Sequence, residues 1–374
     1  MIETAVRFAD LLEDPRNALV EEAIEKGMIP IGYACSMVPE ALLSVGRLFP
    51  VRLRAPGVAG TEMADIYLSS VICSYTRSLL EFALDGRYDF LRGFVFVASC
   101  DHLRRLHDNL DYLSKPEFSH ILDVPHRRGE AALEWTVEEL RRLAAALEGT
   151  FGVDMGTESI RKAIASRNEM NRLLREIGEM RKADAPPFTG TEYHRLIMAA
   201  QAAPFELMRP LAEEFLDRAK DYPGRGGHRA RVLVTGTGLD DPGYTEIIES
   251  QGALVVADRY CTGSFPGFDP VDEGDEPFTA MARRVLDGSR CPRMMEEFST
   301  RAEYIAGLAR EYRADGVVIE SIKFCDTWGV ESAALSTRLR EEGIPVLRLE
   351  REYRQSGEGQ LRTRIQAFIE SMGK

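Results

Sequence analysis

The stretch FVFVASCDHLRR, residues 94–105, decides the fold prediction. It starts with an apolar run typical of a strand that is buried on both faces of a sheet, and the residues after Cys100 are predicted to form a helix. The chain repeats this arrangement in GVVIESIKFCDTWG, residues 316–329, where a second apolar run leads to Cys325. Because a strand followed at once by a helix is the unit of a parallel sheet, the two stretches indicate an α/β protein.

Short apolar runs alternate with helical patterns on both sides of these stretches. Strands are predicted at 51–57, 93–99, 119–125, 231–236, 253–258, 316–324 and 344–350. Helices are predicted at 1–28, from Pro39 to near Pro50 and at 64–86, and amphipathic helices fill 129–219. This order predicts an α/β fold with two doubly wound parallel-sheet lobes joined by a helical segment. The predicted domains are an N-terminal α/β lobe at 1–128, a helical segment and linker at 129–227, and a C-terminal α/β lobe at 228–374.

Length and charge exclude several classes of protein. A chain of 374 residues is long enough for two or three domains. The formal net charge of −13 disfavours nucleic acid and anionic membranes as partners, because both attract basic surfaces. The acidic N-terminal segment does not resemble a signal peptide, and the sequence lacks the run of about 18 apolar residues that a transmembrane helix needs. We therefore expect a cytoplasmic protein.

The six cysteines carry the main functional signal. Cys100 and Cys325 end two predicted strands and Cys261 closely follows a third, which places them at the sheet edge where α/β proteins bind ligands. Cys73, on the predicted helix 64–86, could reach the same cleft. Converging thiolates suggest a soft metal site, although the spacing matches neither zinc-ribbon nor ferredoxin motifs. The alternative is that each cysteine is a small buried apolar residue.

Other polar residues allow two interpretations each. Glu40 follows Pro39 and is predicted to lie in the first turn of a helix, with a catalytic role as the alternative. The basic loop 126–128 is either a phosphate-binding loop or a solvated one. His102 and His107 are predicted to be ordinary residues on the face of a helix.

A dinucleotide site in the second lobe is disfavoured. Gly236 and Gly238 follow a predicted strand, and Asp258 lies where an acidic residue would bind a ribose. The third glycine of that motif is replaced by Asp241, beside Asp240. Two carboxylates at the position of a pyrophosphate would repel it.

Six segments resemble the 2-hydroxyacyl-CoA dehydratase and benzoyl-CoA reductase family, in particular its smaller, beta-type subunit. They occur in the family's order along nearly the whole chain: IGYACSMVPEALLSVGRLFPVRL, ADIYLSSVICSYTRSLLEFALDG, VASCDHLRR, DRYCTGSF, SIKFCDTWGVES and GEGQLRTRIQAFIE.

The resemblance implies an oxygen-sensitive [4Fe-4S] cluster in the cleft between the lobes, with Cys73, Cys100 and Cys325 as ligands. It also implies a heterodimer with a homologous larger subunit, an acyl-CoA substrate, and a separate iron–sulfur activator that hydrolyses ATP and supplies electrons. The implied reaction is the radical, ketyl-type elimination of water from an (R)-2-hydroxyacyl-CoA. Asp101 and Asp326, beside two ligands, are interpreted as helix N-caps, with a role as proton donors as the alternative.

The chain departs from the family where many members have a second acidic residue after Pro39-Glu40, since here Ala41 follows. It is therefore either the substrate-binding subunit or an electron relay. An aromatic acyl-CoA reductase of the benzoyl-CoA type is the alternative function. Because Cys35, Cys261 and Cys291 would complete two sets of three thiolates, a double-cubane-cluster reductase is a further alternative.

Overall fold

The computed structural model of the protein describes residues 3–264, 268–288, 290–354 and 357–373. Within these residues it contains two four-stranded parallel sheets. The strands are β1 (Ile29–Tyr33), β2 (Leu48–Arg52), β3 (Gly93–Val97), β4 (Phe118–Leu122), β5 (Ala230–Gly236), β6 (Ala253–Tyr260), β7 (Gly316–Ile322) and β8 (Val346–Arg351).

Helices cover the sheets and fill the middle of the chain. The helices are α1 (Glu3–Asp10), α2 (Ala18–Glu25), α3 (Ser74–Leu84), α4 (Asp101–Ser114), α5 (Glu130–Phe151), α6 (Thr157–Glu179), α7 (Gly190–Gln201), α8 (Phe205–Asp221), α9 (Pro242–Ser250), α10 (Pro277–Gly288), α11 (Phe298–Glu311), α12 (Asp326–Glu341) and α13 (Glu358–Ser371). Short 3₁₀ helices occur at Leu42–Ser44, Ala64–Ile66 and Met180–Lys182. None of the helices in the described part of the chain has the length and apolar character needed to cross a membrane.

The two sheets have the same strand order, which confirms the prediction of two related α/β lobes. The first runs β2-β1-β3-β4 and the second runs β6-β5-β7-β8. In each sheet the order reverses between its two central strands, and ligands bind α/β proteins at the carboxyl end of such a reversal. Gly236, at φ 145° at the end of β5, lies so close to the backbone of Glu320 on β7 that a side chain would not fit there.

The helical segment packs against both ends of the chain. Residues of α5, α6 and α10 join Val95 and Val97 of β3 in one hydrophobic core. Phe8 of α1 packs on Phe215 of α8, with ring centroids 5.6 Å apart. This core thus contains residues of all three predicted domains. The boundaries of those domains stay a prediction.

Three predicted helices differ from the structure. The region 1–28 holds two helices, α1 and α2, and its residues 1 and 2 lie outside the described residues. The helix predicted to start at Pro39 is wrong, because this region forms a 3₁₀ turn followed by β2. Pro50 is tolerated inside β2 because β2 is an edge strand and needs to donate hydrogen bonds on one side only. The helix predicted from residue 64 begins instead at Ser74.

A buried histidine predicts a specific loss of stability in acid. His194 of α7 is 2% exposed; its Nδ1 and Nε2 lie 2.9 Å from Thr245 Oγ1 and 2.8 Å from Leu239 O. Burial lowers the pKa of His194 from 6.5 to about 4. Since the unfolded chain takes up a proton at a higher pH than the folded chain, this contribution is complete above pH 6.5 and is lost as the pH falls towards 4.

We expect protonation of His194 to lower the free energy of unfolding by about 3 kcal/mol between pH 6.5 and pH 4. Urea unfolding at several pH values would measure the loss in the native protein and in His194→Gln. The variant should be less stable at pH 7 but should lose less stability between pH 6.5 and 4.5. Equal losses in both proteins would contradict the prediction.

Candidate functional site

All six cysteines line one cavity of about 120 Å³ between the two lobes. All six are free thiols. The cavity lies beyond the carboxyl ends of the strands, where β1, β3, β6 and β7 deliver Cys35, Cys100, Cys261 and Cys325. Thr237 and Gly238, just after β5, complete this wall. The predicted placement of thiols at the ligand-binding edge of both sheets is therefore confirmed.

Three cysteines, which we call the capping triad, are each the N-cap residue of a helix. Cys73 precedes α3, Cys100 precedes α4 and Cys325 precedes α12. Cys100 Sγ accepts a hydrogen bond from Leu103 N at 3.5 Å. The positive ends of three helix dipoles therefore meet at the cavity, which favours negative charge there.

The capping positions correct two residue assignments. Asp101 and Asp326 were predicted as N-caps, but each is the first helical residue and the cysteine before it is the cap. Their side chains are 79% and 63% exposed. Cys73 was predicted within a helix, and the start of α3 at Ser74 instead places it at the helix entrance. The structure thus brings Cys73, Cys100 and Cys325 together around the cavity as the sequence suggested.

The remaining cysteines, which we call the second triad, were given no certain role by the sequence. Cys35 follows β1 with the left-handed φ of 83°, which is unusual for a residue with a side chain. Cys261 directly follows β6, and Cys291 lies between α10 and α11. Such backbone strain is concentrated at functional sites.

Both triads contain thiols with raised pKa values. Burial raises the pKa of Cys73 to about 11 and of Cys100 to about 12, and neighbouring thiols contribute to both increases. Burial also raises the pKa of Cys261 to about 11, and Cys35 contributes to the increase. Thiols in this state become thiolates when a cation binds them.

Buried arginines surround the second triad. The charges of Arg52 and Arg259 interact electrostatically with Cys261, and the charge of Arg293 interacts with Cys35 and Cys291. The three arginines are between 3% and 5% exposed. Their charges favour an anionic group on this side of the cavity.

His102 is a cavity residue that the sequence analysis missed. It is 6% exposed, and its Nδ1 accepts a hydrogen bond from Cys73 N at 3.3 Å. Its Nε2 lies 3.5 Å from Asp326 Oδ2. The ring therefore bridges Cys73, the N-cap of α3, and Asp326, the first residue of α12. The sequence did offer a signal for this role. His102 lies two residues after Cys100, so its side chain is in the first turn of α4, next to that cysteine.

Glu40 lies in a different, smaller cavity from the cysteines. Its carboxylate accepts a hydrogen bond from Tyr33 OH and pairs with Arg167. Burial and the charge of Glu40 raise the pKa of Tyr33, so its hydroxyl remains a donor. The predicted place of Glu40 in the first turn of a helix is wrong, because no helix begins at Pro39 in the described chain.

The other sequence candidates have structural partners. Asp258 forms a buried ion pair with Arg181, Asp241 caps α9, and Asp240 accepts a hydrogen bond from Tyr353 OH at 2.7 Å. In the basic loop, Arg127 and Arg128 pair with Glu296 and Glu297. These contacts favour neither a dinucleotide nor a phosphate at those positions.

The donor set of the cavity fits an iron–sulfur cluster. No three Cys, His, Asp or Glu side chains among the described residues form a group that could hold a single metal ion. The thiolates of a cubane bind different iron atoms, so its ligands do not need to meet at one point. Six thiols, three helix N-termini and buried arginines together suit a polynuclear, anionic group.

Comparison with known proteins adds the family. The model of the 2-hydroxyglutaryl-CoA dehydratase D-component matches residues 35–372. The chain is 26% identical to the (R)-phenyllactyl-CoA dehydratase beta subunit of Clostridium sporogenes, over 98% of this chain and 97% of that protein. It is 25% identical to the lactoyl-CoA dehydratase subunit beta of Anaerotignum propionicum, over 98% of both. It is 23% identical to a benzoyl-CoA reductase subunit of Thauera aromatica, over 85% of this chain and 84% of that protein. The chain therefore belongs to the 2-hydroxyglutaryl-CoA dehydratase D-component family.

Proposed function

We propose that this chain is an iron–sulfur protein that receives low-potential electrons from a separate, ATP-hydrolysing activator. The observation that carries the proposal is the convergence of all six cysteines on one cavity between the lobes. ATP has no role in this chain itself. Free thiols and an oxygen-sensitive cofactor are consistent with a cytoplasmic location.

The cavity residues would hold and tune the cofactor. A bound cluster supplies single-electron transfer at low potential. Cys73, Cys100 and Cys325 would hold a [4Fe-4S] cubane, and the amides at the starts of α3, α4 and α12 would stabilise its negative charge. His102 would fix the backbone of Cys73.

The first candidate reaction is the dehydration of an (R)-2-hydroxyacyl-CoA. It is supported by two relatives that are named beta subunits of such dehydratases. Their names as beta subunits also support a partner subunit, which we propose to be a homologous larger chain. Exposed apolar side chains lie near Cys73 and Cys325 in the sequence, and they would suit a protein interface. They are Ile66, Tyr67, Val71, Phe324 and Val330.

The second candidate is a reductase that carries a double-cubane cluster on six thiolates. The second triad specifically favours it, because Cys35, Cys261 and Cys291 line the same cavity and would have no role as ligands of a single cubane. The number of thiols in the cavity supports this second candidate, whereas the names of the relatives support the first. The relative named as a benzoyl-CoA reductase component makes reduction of an aromatic acyl-CoA a third possibility within the family.

Anaerobic purification followed by iron and sulfide analysis tests the proposal. One cubane corresponds to about four iron atoms per chain and a double cubane to about eight. A colourless, iron-free chain after anaerobic reconstitution would overturn the proposal. Turnover with an activator, ATP, and either phenyllactyl-CoA or benzoyl-CoA would then separate dehydration from ring reduction.

A further inference from the structure

A second cavity of about 100 Å³ adjoins the cysteine cavity. Ser36 and Arg52 line both cavities. The wall of the second cavity also contains Glu40, Arg167 and Arg284, and we call it the arginine pocket. Among the described residues, three guanidinium groups but only one carboxylate line it, so the wall carries an excess of positive charge.

Arg52 is the most deeply buried of these cations, at 4% exposed. Its Nη1 donates to Gln201 Oε1 at 3.2 Å and to Ser36 Oγ at 3.3 Å, while its Nε has no hydrogen-bond partner. In the part of the chain that the structure describes, no carboxylate lies within ion-pair distance of Arg52. The hydrogen-bond partners of Arg52 are neutral, so its unpaired donor is available to an anion.

Arg167 is also incompletely satisfied. Its Nη2 pairs with Glu40, which also accepts the hydrogen bond from Tyr33. Its buried Nη1 has no hydrogen-bond partner, and its guanidinium lies 4.3 Å from the ring centroid of Phe205. Glu40 therefore balances one cation of the pocket and leaves donors on Arg52 and Arg167 without an acceptor.

We propose that the arginine pocket binds a small carboxylate beside the cysteine cavity. The planar fork of a guanidinium matches the two oxygens of a carboxylate. The volume admits a molecule of a few heavy atoms and is too small for a coenzyme A thioester. Since Ser36 and Arg52 belong to both walls, a carboxylate held here has its other end next to the thiols. The binding itself does not depend on the iron–sulfur assignment.

Isothermal titration of the anaerobically purified full chain with acetate, at constant ionic strength against chloride, tests the site. Arg167→Gln should weaken acetate binding about tenfold or more, because a charged donor is lost. Glu40→Gln should tighten binding about threefold or more, because it removes the carboxylate that competes for Arg167. Arg209→Gln, an exposed arginine paired with Glu169, is the matched control and should bind acetate like the native protein.

The opposite signs of the two pocket variants separate binding from a structural role. If Arg167 and Glu40 only support the fold, both variants weaken binding together, and the proposal fails. It also fails if the native protein shows no binding of acetate above that of chloride. Should Arg167→Gln not fold, the Glu40→Gln titration and electron density for acetate in the native protein decide the question. None of these outcomes depends on the iron content of the protein.

Discussion

Replacement of Cys100 by alanine is expected to remove most of the iron that the native chain binds. Cys100 caps α4 and belongs to the capping triad in both candidate assignments. A cubane held by the capping triad is bound less tightly after this change, because only Cys73 and Cys325 of that triad remain. Iron and sulfide analysis of the anaerobically reconstituted variant would measure the loss.

Cys291→Ala separates the two candidate clusters. With a single cubane on the capping triad it should leave the iron content unchanged, whereas with a double cubane it should remove about half of the iron or more. Ser336→Ala is the control, because Ser336 is buried on α12 and does not line the cavity. Full iron content in Cys100→Ala would contradict the assignment of the capping triad.

Asp258→Ala is expected to destabilise the protein by about 3–5 kcal/mol. Asp258 Oδ1 lies 2.8 Å from Arg181 Nη1, and the two side chains are 3% and 4% exposed. Asp258 also accepts hydrogen bonds from Ser264 N and Oγ. Its removal leaves the guanidinium of Arg181 buried against Tyr193 without its counter-ion. Urea unfolding at neutral pH would measure the change in the free energy of unfolding.

A surface ion pair provides the comparison. Glu246→Ala breaks the pair with Arg195, but Glu246 is 63% exposed, and we expect a change of about 1 kcal/mol or less. The double variant Arg181→Met, Asp258→Ala should recover much of the stability, because it removes the uncompensated charge. An Asp258→Ala variant no less stable than Glu246→Ala would show that Arg181 reaches solvent or another partner.

The sequence predicted those parts of the site that depend on local pattern. Cys100, Cys261 and Cys325 directly follow apolar runs, and the carboxyl ends of parallel strands converge, so their placement could be inferred. Cys35 is the last residue of the apolar run 29–35, but its left-handed backbone could not be predicted because no glycine stands there. Cys291 has no local signal, because its position results from the packing of α10 against the first lobe.

The errors share a physical cause. The Pro39 segment has the pattern of a helix start, yet pairing of β2 with β1 outweighs its local preference. The arginine pocket could not be predicted either, because Arg52, Arg167 and Arg284 are far apart in sequence and meet only through tertiary packing. Sequence periodicity predicts individual helices and strands, but it does not predict contacts between helices and strands that are distant in sequence.

The cysteines that line the cavity are spread along the chain from residue 35 to residue 325. The ribosome must therefore synthesise the chain through both lobes' cysteines before the last thiol is present. Any cofactor that uses Cys325 has to be delivered after that residue is made, when the first lobe has already folded or is held open for it. We expect cells that produce the chain faster than they can build such a cofactor to accumulate a colourless protein with the same fold. The supply of the cofactor would then limit the yield of functional protein.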